Sequence, residues 1–168
     1  MDRRHSYETA REATSRLRWR WLGALMTLCV AALVAPPHAH AQFASVPAPT
    51  TVSSHESLAD TDKAYRRDGA HHIYSAYASH IHKGKLPPLM YAVAITETEI
   101  DEAGRVVNAV MVREPAAAKE VGPWVLEMIR RASPFPKPSR MGHVKYLDIW
   151  LVDKTGKFQL DTLTEGQR

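Results

Sequence analysis

Cysteine is nearly absent from this 168-residue sequence, since its one cysteine, Cys29, lies in the N-terminal segment. A chain with a single cysteine forms no internal disulfide and no multi-thiolate metal site. The sequence also has no glycine-rich phosphate loop and no Gly-x-Ser-x-Gly motif, so the usual signatures of nucleotide-binding enzymes and of α/β-hydrolases are missing. Apolar residues nevertheless make up 45% of the chain, which is typical of a folded globular domain.

Positive charge is in excess only near the N-terminus. The whole chain has 22 Lys and Arg against 18 Asp and Glu, and residues 1–41 contain six of those arginines and three of those acids. The rest of the chain therefore has 16 basic and 15 acidic residues. A nearly neutral domain gives no electrostatic reason to expect nucleic-acid binding.

The N-terminal segment has the three parts of a secretory signal. Arginines at positions 16, 18 and 20 precede an uncharged, mostly apolar stretch at residues 21–35, and Ala39 and Ala41 form a small-x-small cleavage site before Gln42. We therefore expect residues 1–41 to direct export to a bacterial periplasm and to be removed. The alternative is an uncleaved inner-membrane anchor, because residues 21–37 reach the ~17-residue lower limit of a membrane-spanning helix.

Regular patterning begins well after this segment. Residues 42–67 are rich in Ser, Thr, Ala and Pro, which predicts a flexible linker before a folded domain at residues 68–168. The first predicted helix of that domain has an apolar stripe at Ile73, Tyr77 and Ile81 and stops at Gly84.

A β-hairpin is predicted after this helix. Apolar residues alternate from Tyr91 to Ile100 and again from Val106 to Val112, as in strands with one buried face. Asp101 opens the intervening segment and Gly104 closes it, which is the residue chemistry of a tight turn.

A second helix and two more strands complete the predicted domain. Pro123 suits the first turn of a helix whose apolar stripe runs from Val121 to Ala132. Residues 144–152 alternate as a third strand, and residues 158–162 indicate a short fourth one. This order predicts an α+β domain with two helices packed on one face of a small three- to four-stranded antiparallel sheet.

The element order and two local motifs resemble the C-terminal periplasmic domain of the TonB/TolA family. Ile100-Asp101-Glu102-Ala103-Gly104-Arg105-Val106 is similar to that family's hydrophobe-Asp-x-x-Gly-x-Val turn, and Ser133-Pro134-Phe135-Pro136 is similar to its Phe-Pro segment. The resemblance covers about residues 74–152. It implies a non-enzymatic, cofactor-free adaptor that binds protein in the periplasm. The alternative is an inner-membrane-anchored energy transducer for outer-membrane transport.

The resemblance also implies where a partner binds. In that family the last long strand presents a sheet edge to which partner peptides add a strand. The matching candidates here are Lys145, Tyr146, Asp148, Trp150 and Val152. The expected partner is an extended peptide of an envelope protein or a second copy of the chain. A hairpin formed by the tail after Asp153 is the alternative occupant of this edge.

Four histidines fall in the first predicted helix, at positions 71, 72, 80 and 82, and His143 lies elsewhere. Metal chelation from one helix requires ligands three or four residues apart, and no pair in this group has that spacing. We therefore expect a solvated polar helix face and no metal site.

Catalytic interpretations are weak. Glu97 and Glu99 share one face of a strand, but no nucleophile accompanies them, so an exposed strand end is the better account. A small hydrolase using Ser75 or Ser79 with a nearby histidine is the enzymatic alternative.

Two tryptophans lie at positions compatible with the core. We expect Trp124 to be buried. Trp150 shares a strand face with Tyr146 and Asp148, so it fits either the core or an exposed aromatic stripe that contacts a partner.

Overall fold

The computed structural model describes residues 43–53 and 55–167. The predicted export segment, residues 1–41, lies outside these residues. The helices in this part of the chain are α1 (Asp62–Ala76) and α2 (Val121–Arg131), and the strands are β1 (Glu56–Ser57), β2 (Ala92–Ile100), β3 (Val106–Arg113), β4 (Lys137–Pro138), β5 (Val144–Val152) and β6 (Phe158–Leu160). Short 3-10 turns cover Ala78–His80 and Asp161–Leu163.

The main sheet has four antiparallel strands in the order β3-β2-β5-β6. The central pair is long and regular, because β2 and β5 are in register from Ala92 opposite Val152 to Ile100 opposite Val144. The short β1 and β4 form a separate parallel pair. These elements confirm the predicted α+β class.

One face of the sheet contributes to the core and the other does not. Alternate residues of β2 and β5 are buried, among them Ala94, Thr96, Tyr146 and Trp150. The helices cover this face: the Tyr65 ring of α1 lies 5.8 Å from that of Tyr146. The alternation predicted the strands but not the face that they bury: in β2, Val93 is exposed whereas Ala94 and Thr96 are buried.

Helix α1 begins earlier and ends earlier than predicted. Thr61 is its N-cap, with the side-chain oxygen accepting from the Ala64 N–H at 3.3 Å, and Asp62 lies in the first turn. The helix thus starts inside the segment predicted as linker. It ends at Ala76, so Ile81 and Gly84 lie beyond it.

The described part of the predicted linker packs against the domain. The Phe43 ring is buried, stacked on Tyr91 at 5.7 Å and edge-on to Trp124 at 5.3 Å. The Thr50 N–H donates to the Ala76 carbonyl at 2.8 Å. These contacts depend on single side chains and backbone groups, which leave no periodic signal in the sequence. The expectation of an unattached linker is therefore wrong for this part of the chain.

The β2–β3 turn has the predicted chemistry. The Asp101 carboxylate accepts from the N–H groups of Ala103 and Arg105 at 2.9 and 2.8 Å. Gly104 closes the turn with a φ of 82°, and its carbonyl accepts from the Phe135 N–H at 2.7 Å. A side chain at this position would overlap the Phe135 carbonyl oxygen. The turn therefore requires glycine both for its backbone conformation and for this close approach.

We expect Gly104→Ala to destabilise the fold more than Gly142→Ala. Both glycines have positive φ, but a Cβ at Gly142 meets nothing within 4 Å. Left-handed strain alone costs about 1–2 kcal/mol, and the steric conflict at Gly104 should add about 2 kcal/mol or more. Urea unfolding of both variants at one temperature measures the difference. Equal losses in the free energy of unfolding would contradict the steric argument.

Candidate partner-binding edges of the sheet

Strand β5, the predicted docking strand, is an internal strand for part of its length. It pairs with β2 along all nine residues and with β6 at Trp150–Val152. The prediction of an edge strand at Lys145–Val152 is therefore wrong over these last three residues. The tail folds back as a hairpin and occupies the edge, which was the alternative.

Four of the five candidate side chains on β5 point into the core. Tyr146, Asp148, Trp150 and Val152 are buried, and only Lys145 is exposed. Trp150 is 1% exposed, packs against the Phe158 ring at 4.8 Å and donates from Nε1 to the Thr96 hydroxyl at 3.2 Å. This burial excludes the exposed aromatic stripe. Trp124 is buried as expected.

Along the remaining part of the β5 edge, one backbone donor is already bonded to a β5 side chain. The Asp148 Oδ1 accepts from the Ile149 N–H at 3.0 Å, so this backbone donor already has a partner. The same oxygen accepts from the Arg66 Nε and Nη2 at 3.3 and 3.2 Å and from the Thr162 hydroxyl at 3.3 Å. We call Arg66, Asp148 and Thr162 the Asp148 cluster. Its hydrogen bonds connect Arg66 of α1 and Thr162, which follows β6, to Asp148 of β5.

Burial dominates the electrostatics of the Asp148 cluster. Loss of hydration raises the pKa of Asp148 to about 6, although the charge and hydrogen bonds of Arg66 act in the opposite direction. Arg66 also lies 3.7 Å from the half-exposed Asp161. The carboxylate is therefore held in the core at a cost, as is usual for a buried ion pair.

Strand β3 is the edge of the main sheet on the opposite side. Among residues 43–53 and 55–167 it pairs only with β2, and Val107 and Val112 are 54% and 55% exposed. Two contacts cover part of its backbone. The Arg130 Nη2 of α2 donates to the Ala109 carbonyl at 3.2 Å, and the Val106 N–H donates to the Ser133 hydroxyl at 3.2 Å.

The sheet face away from the helices is partly apolar. Val93, Val110 and Leu147 are exposed on it or at its margin. Glu97 pairs with Lys145, and Glu99 with His143, each at 2.9 Å. The hydrogen bond to Glu97 raises the pKa of Lys145. Glu97 is thus a member of a cross-strand ion pair, and Glu99 contacts a histidine just before β5, details that the prediction of an exposed strand end did not include.

The histidines do not form one solvated face. His71 and His72 lie in α1, but His80 and His82 follow it. His72 is 3% exposed, its Nε2 lies 2.7 Å from the Ala132 carbonyl oxygen, and its Nδ1 has no hydrogen-bond partner among the described residues. Burial lowers the pKa of His72. In the part of the chain that is described, no group of three or more His, Cys, Asp or Glu side chains is arranged to hold a metal ion.

The serines of the hydrolase alternative have local partners. The Ser75 hydroxyl donates to the His71 carbonyl of its own helix at 2.9 Å. The Ser79 hydroxyl lies 3.0 Å from the Nδ1 of the adjacent His80. Neither contact includes a carboxylate that orients the histidine, so neither forms a complete nucleophile, base and orienting group.

Comparison with known proteins finds no matching family model, no matching curated protein and no matching solved structure. Among residues 43–53 and 55–167, no helix is both long and apolar enough to span a membrane.

Proposed function

We propose that this chain is an exported, non-enzymatic adaptor that binds an extended peptide of an envelope protein by strand addition at β3. The observation that carries this proposal is the eight-residue β3, which has a neighbouring strand on one side only within the part of the chain that the structure describes. An unpaired strand edge offers backbone donors and acceptors to an incoming strand. The proposal keeps the function implied by the TonB/TolA resemblance and moves the docking strand from β5 to β3.

The side chains of β3 suit this role. The strand is rich in valine and contains no proline or lysine, and its only charged residue, Arg113, is at the end. Natural proteins usually protect such an edge with charge, proline or a covering segment. Here the Arg130 side chain provides partial protection by bonding the Ala109 carbonyl. An incoming peptide would displace this contact, one of the two that cover the β3 backbone.

Strand addition at β3 predicts that Arg130→Ala tightens peptide binding. The probe is a synthetic peptide copying residues 106–113 with flanking lysines for solubility, because a β3 sequence can pair with itself in the antiparallel sense. Removing one competing hydrogen bond of about 1 kcal/mol should lower the Kd about five-fold. Isothermal titration calorimetry measures the Kd, and backbone amide shifts locate the peptide.

Arg131→Ala is the matched control. Arg131 is the next residue of α2, and its guanidinium bonds Glu127 and the Val46 carbonyl rather than β3. This variant should bind the peptide as the unaltered chain does. Peptide-induced shifts located on β5 instead of β3, or no saturable binding, would refute strand addition at β3.

A further inference from the structure

A polar cavity lies beside the turn that joins β5 and β6. Its volume is about 480 Å³, and its polar lining residues are Ser79, His82, Lys83, Asp153, Thr155 and Lys157. It is formed by the segment after α1 on one side and the turn on the other. None of these residues takes part in the proposed β3 edge.

His82 is held rigidly in the wall of this cavity. Its N–H donates to the Phe158 carbonyl at 2.9 Å, and its own carbonyl accepts from the Gln159 Nε2 at 2.8 Å. Its Nδ1 lies 3.0 Å from the Asp153 Oδ2. With Nδ1 bonded to the carboxylate, Nε2 is the ring nitrogen that remains for a ligand. Such fixed polar groups are what a specific binding site requires.

The charge of the lining is positive. Lys83 and Lys157 are exposed and form no ion pair with any described residue. Asp153 is the one acid in the wall. Its Oδ1 accepts from the Thr155 N–H and hydroxyl and from the backbone N–H of Lys157, and its Oδ2 lies 3.0 Å from the His82 Nδ1. Glu165 of the C-terminal tail accepts from the Gly84 N–H, next to Lys83, at 3.2 Å. The acids are thus occupied by backbone and side-chain donors, whereas both ammonium groups are available.

We propose that this cavity binds the phosphate group of an anionic ligand. Lys83 and Lys157 supply charge and hydrogen-bond donors to the phosphate oxygens. His82 Nε2 donates to a phosphate oxygen when the ring is protonated and accepts from a phosphate hydroxyl when it is neutral. The proposal is independent of strand addition at β3.

A second cavity of about 420 Å³ adjoins the first and shares Asp153 and Thr155 with it. Its wall includes Pro87, Met90 and Leu89, whose side chain is 89% exposed. A phosphate bound in the polar cavity therefore lies next to an apolar surface. The phosphate can belong to a free ion or to the headgroup of a lipid, and these two sources are separated by experiment.

The test is an NMR titration of the isotope-labelled chain with sodium phosphate, using sodium chloride at matched ionic strength as the reference. We expect saturable shifts at His82 and Lys157 with phosphate alone. Lys83→Ala and Lys157→Ala should each raise the Kd about five-fold. Lys63→Ala is the control, because Lys63 is an exposed lysine at the opposite end of α1, ~20 Å along the helix.

A second titration uses dihexanoyl phosphatidic acid below its aggregation concentration. If the ligand is a lipid, this compound binds tighter than inorganic phosphate, and Leu89→Ser removes the gain without changing phosphate binding. If the ligand is a free phosphate, the two bind equally. The proposed site is wrong if phosphate gives no saturable shift beyond chloride, or if Lys63→Ala weakens binding as much as Lys157→Ala.

Discussion

Asp148→Asn should remove a pH dependence of stability that runs opposite to ordinary acid denaturation. Burial raises the pKa of Asp148 to about 6 in the folded chain, above its ordinary value of 3.8. Between these two values the native state retains a proton that the unfolded chain has lost. Unfolding then releases a proton, so stability falls as the pH rises from about 4 to about 6.

The size of this effect follows from the shift in pKa. A change of about two pKa units corresponds to about 3 kcal/mol, present below pH 4 and lost above pH 6. Urea unfolding at several pH values between 4 and 7 measures it. The free-energy difference between the unaltered chain and Asp148→Asn should change by up to this amount across the interval. Other carboxylates contribute equally to both proteins and cancel.

Asp161→Asn is the control for this experiment. Asp161 lies 3.7 Å from the same Arg66 guanidinium, but its side chain is 51% exposed. The variant should keep the slope of the unaltered chain between pH 4 and 6. A constant free-energy difference between the unaltered chain and Asp148→Asn across this range would show that the buried carboxylate does not titrate there.

Phe158→Ala should cause the largest loss of stability among simple core truncations in the tail. Phe158 is fully buried, and its ring packs against Trp150 at 4.8 Å, Tyr74 at 6.4 Å and Trp124 at 6.5 Å. Truncating a buried phenylalanine leaves a cavity and costs about 3–5 kcal/mol. Thermal and urea unfolding with circular dichroism detection give this value.

Leu89→Ala supplies the comparison, because its side chain is almost entirely exposed. It should change the free energy of unfolding by less than about 0.5 kcal/mol. A small effect of Phe158→Ala would mean that β6 pairs with β5 but contributes little to the stability of the domain. The expected large effect means that the tail belongs to the core, so deleting residues 153–168 would unfold the domain rather than expose a binding edge.

Elements with a strong local period were predictable from the sequence. Strands β2, β3 and β5 alternate in polarity, and α2 has an apolar stripe with Pro123 in its first turn, so local residues determine their type. The short β6 was found because a turn motif precedes it. Their burial does not follow from the same pattern, because Val107, Val110 and Val112 of β3 are exposed.

Contacts that join distant segments were not predictable. The two-residue β1 exists only because β4, about 80 residues later, pairs with it. His72 fits the helical period of Tyr65, Gly69 and Ile73, all buried on α1, but its polarity favoured a solvated position. Asp148 did carry a signal: it is an acid on the inward face of a strand, between Tyr146 and Trp150. Such a residue requires a buried partner, although the sequence does not identify Arg66.

The burial of Phe43 limits how far the domain can move from an attachment point at its N-terminal end. As an extended chain, residues 43–61 would span ~65 Å. In the folded domain these residues are instead held against the rest of the chain. The Phe43 ring packs against Tyr91 and Trp124, and Glu56–Ser57 pairs as β1. If residues 1–41 are removed on export, the mature protein begins one residue before a buried ring and has no free N-terminal arm. If they remain as an anchor, residues 43–61 add little reach beyond it.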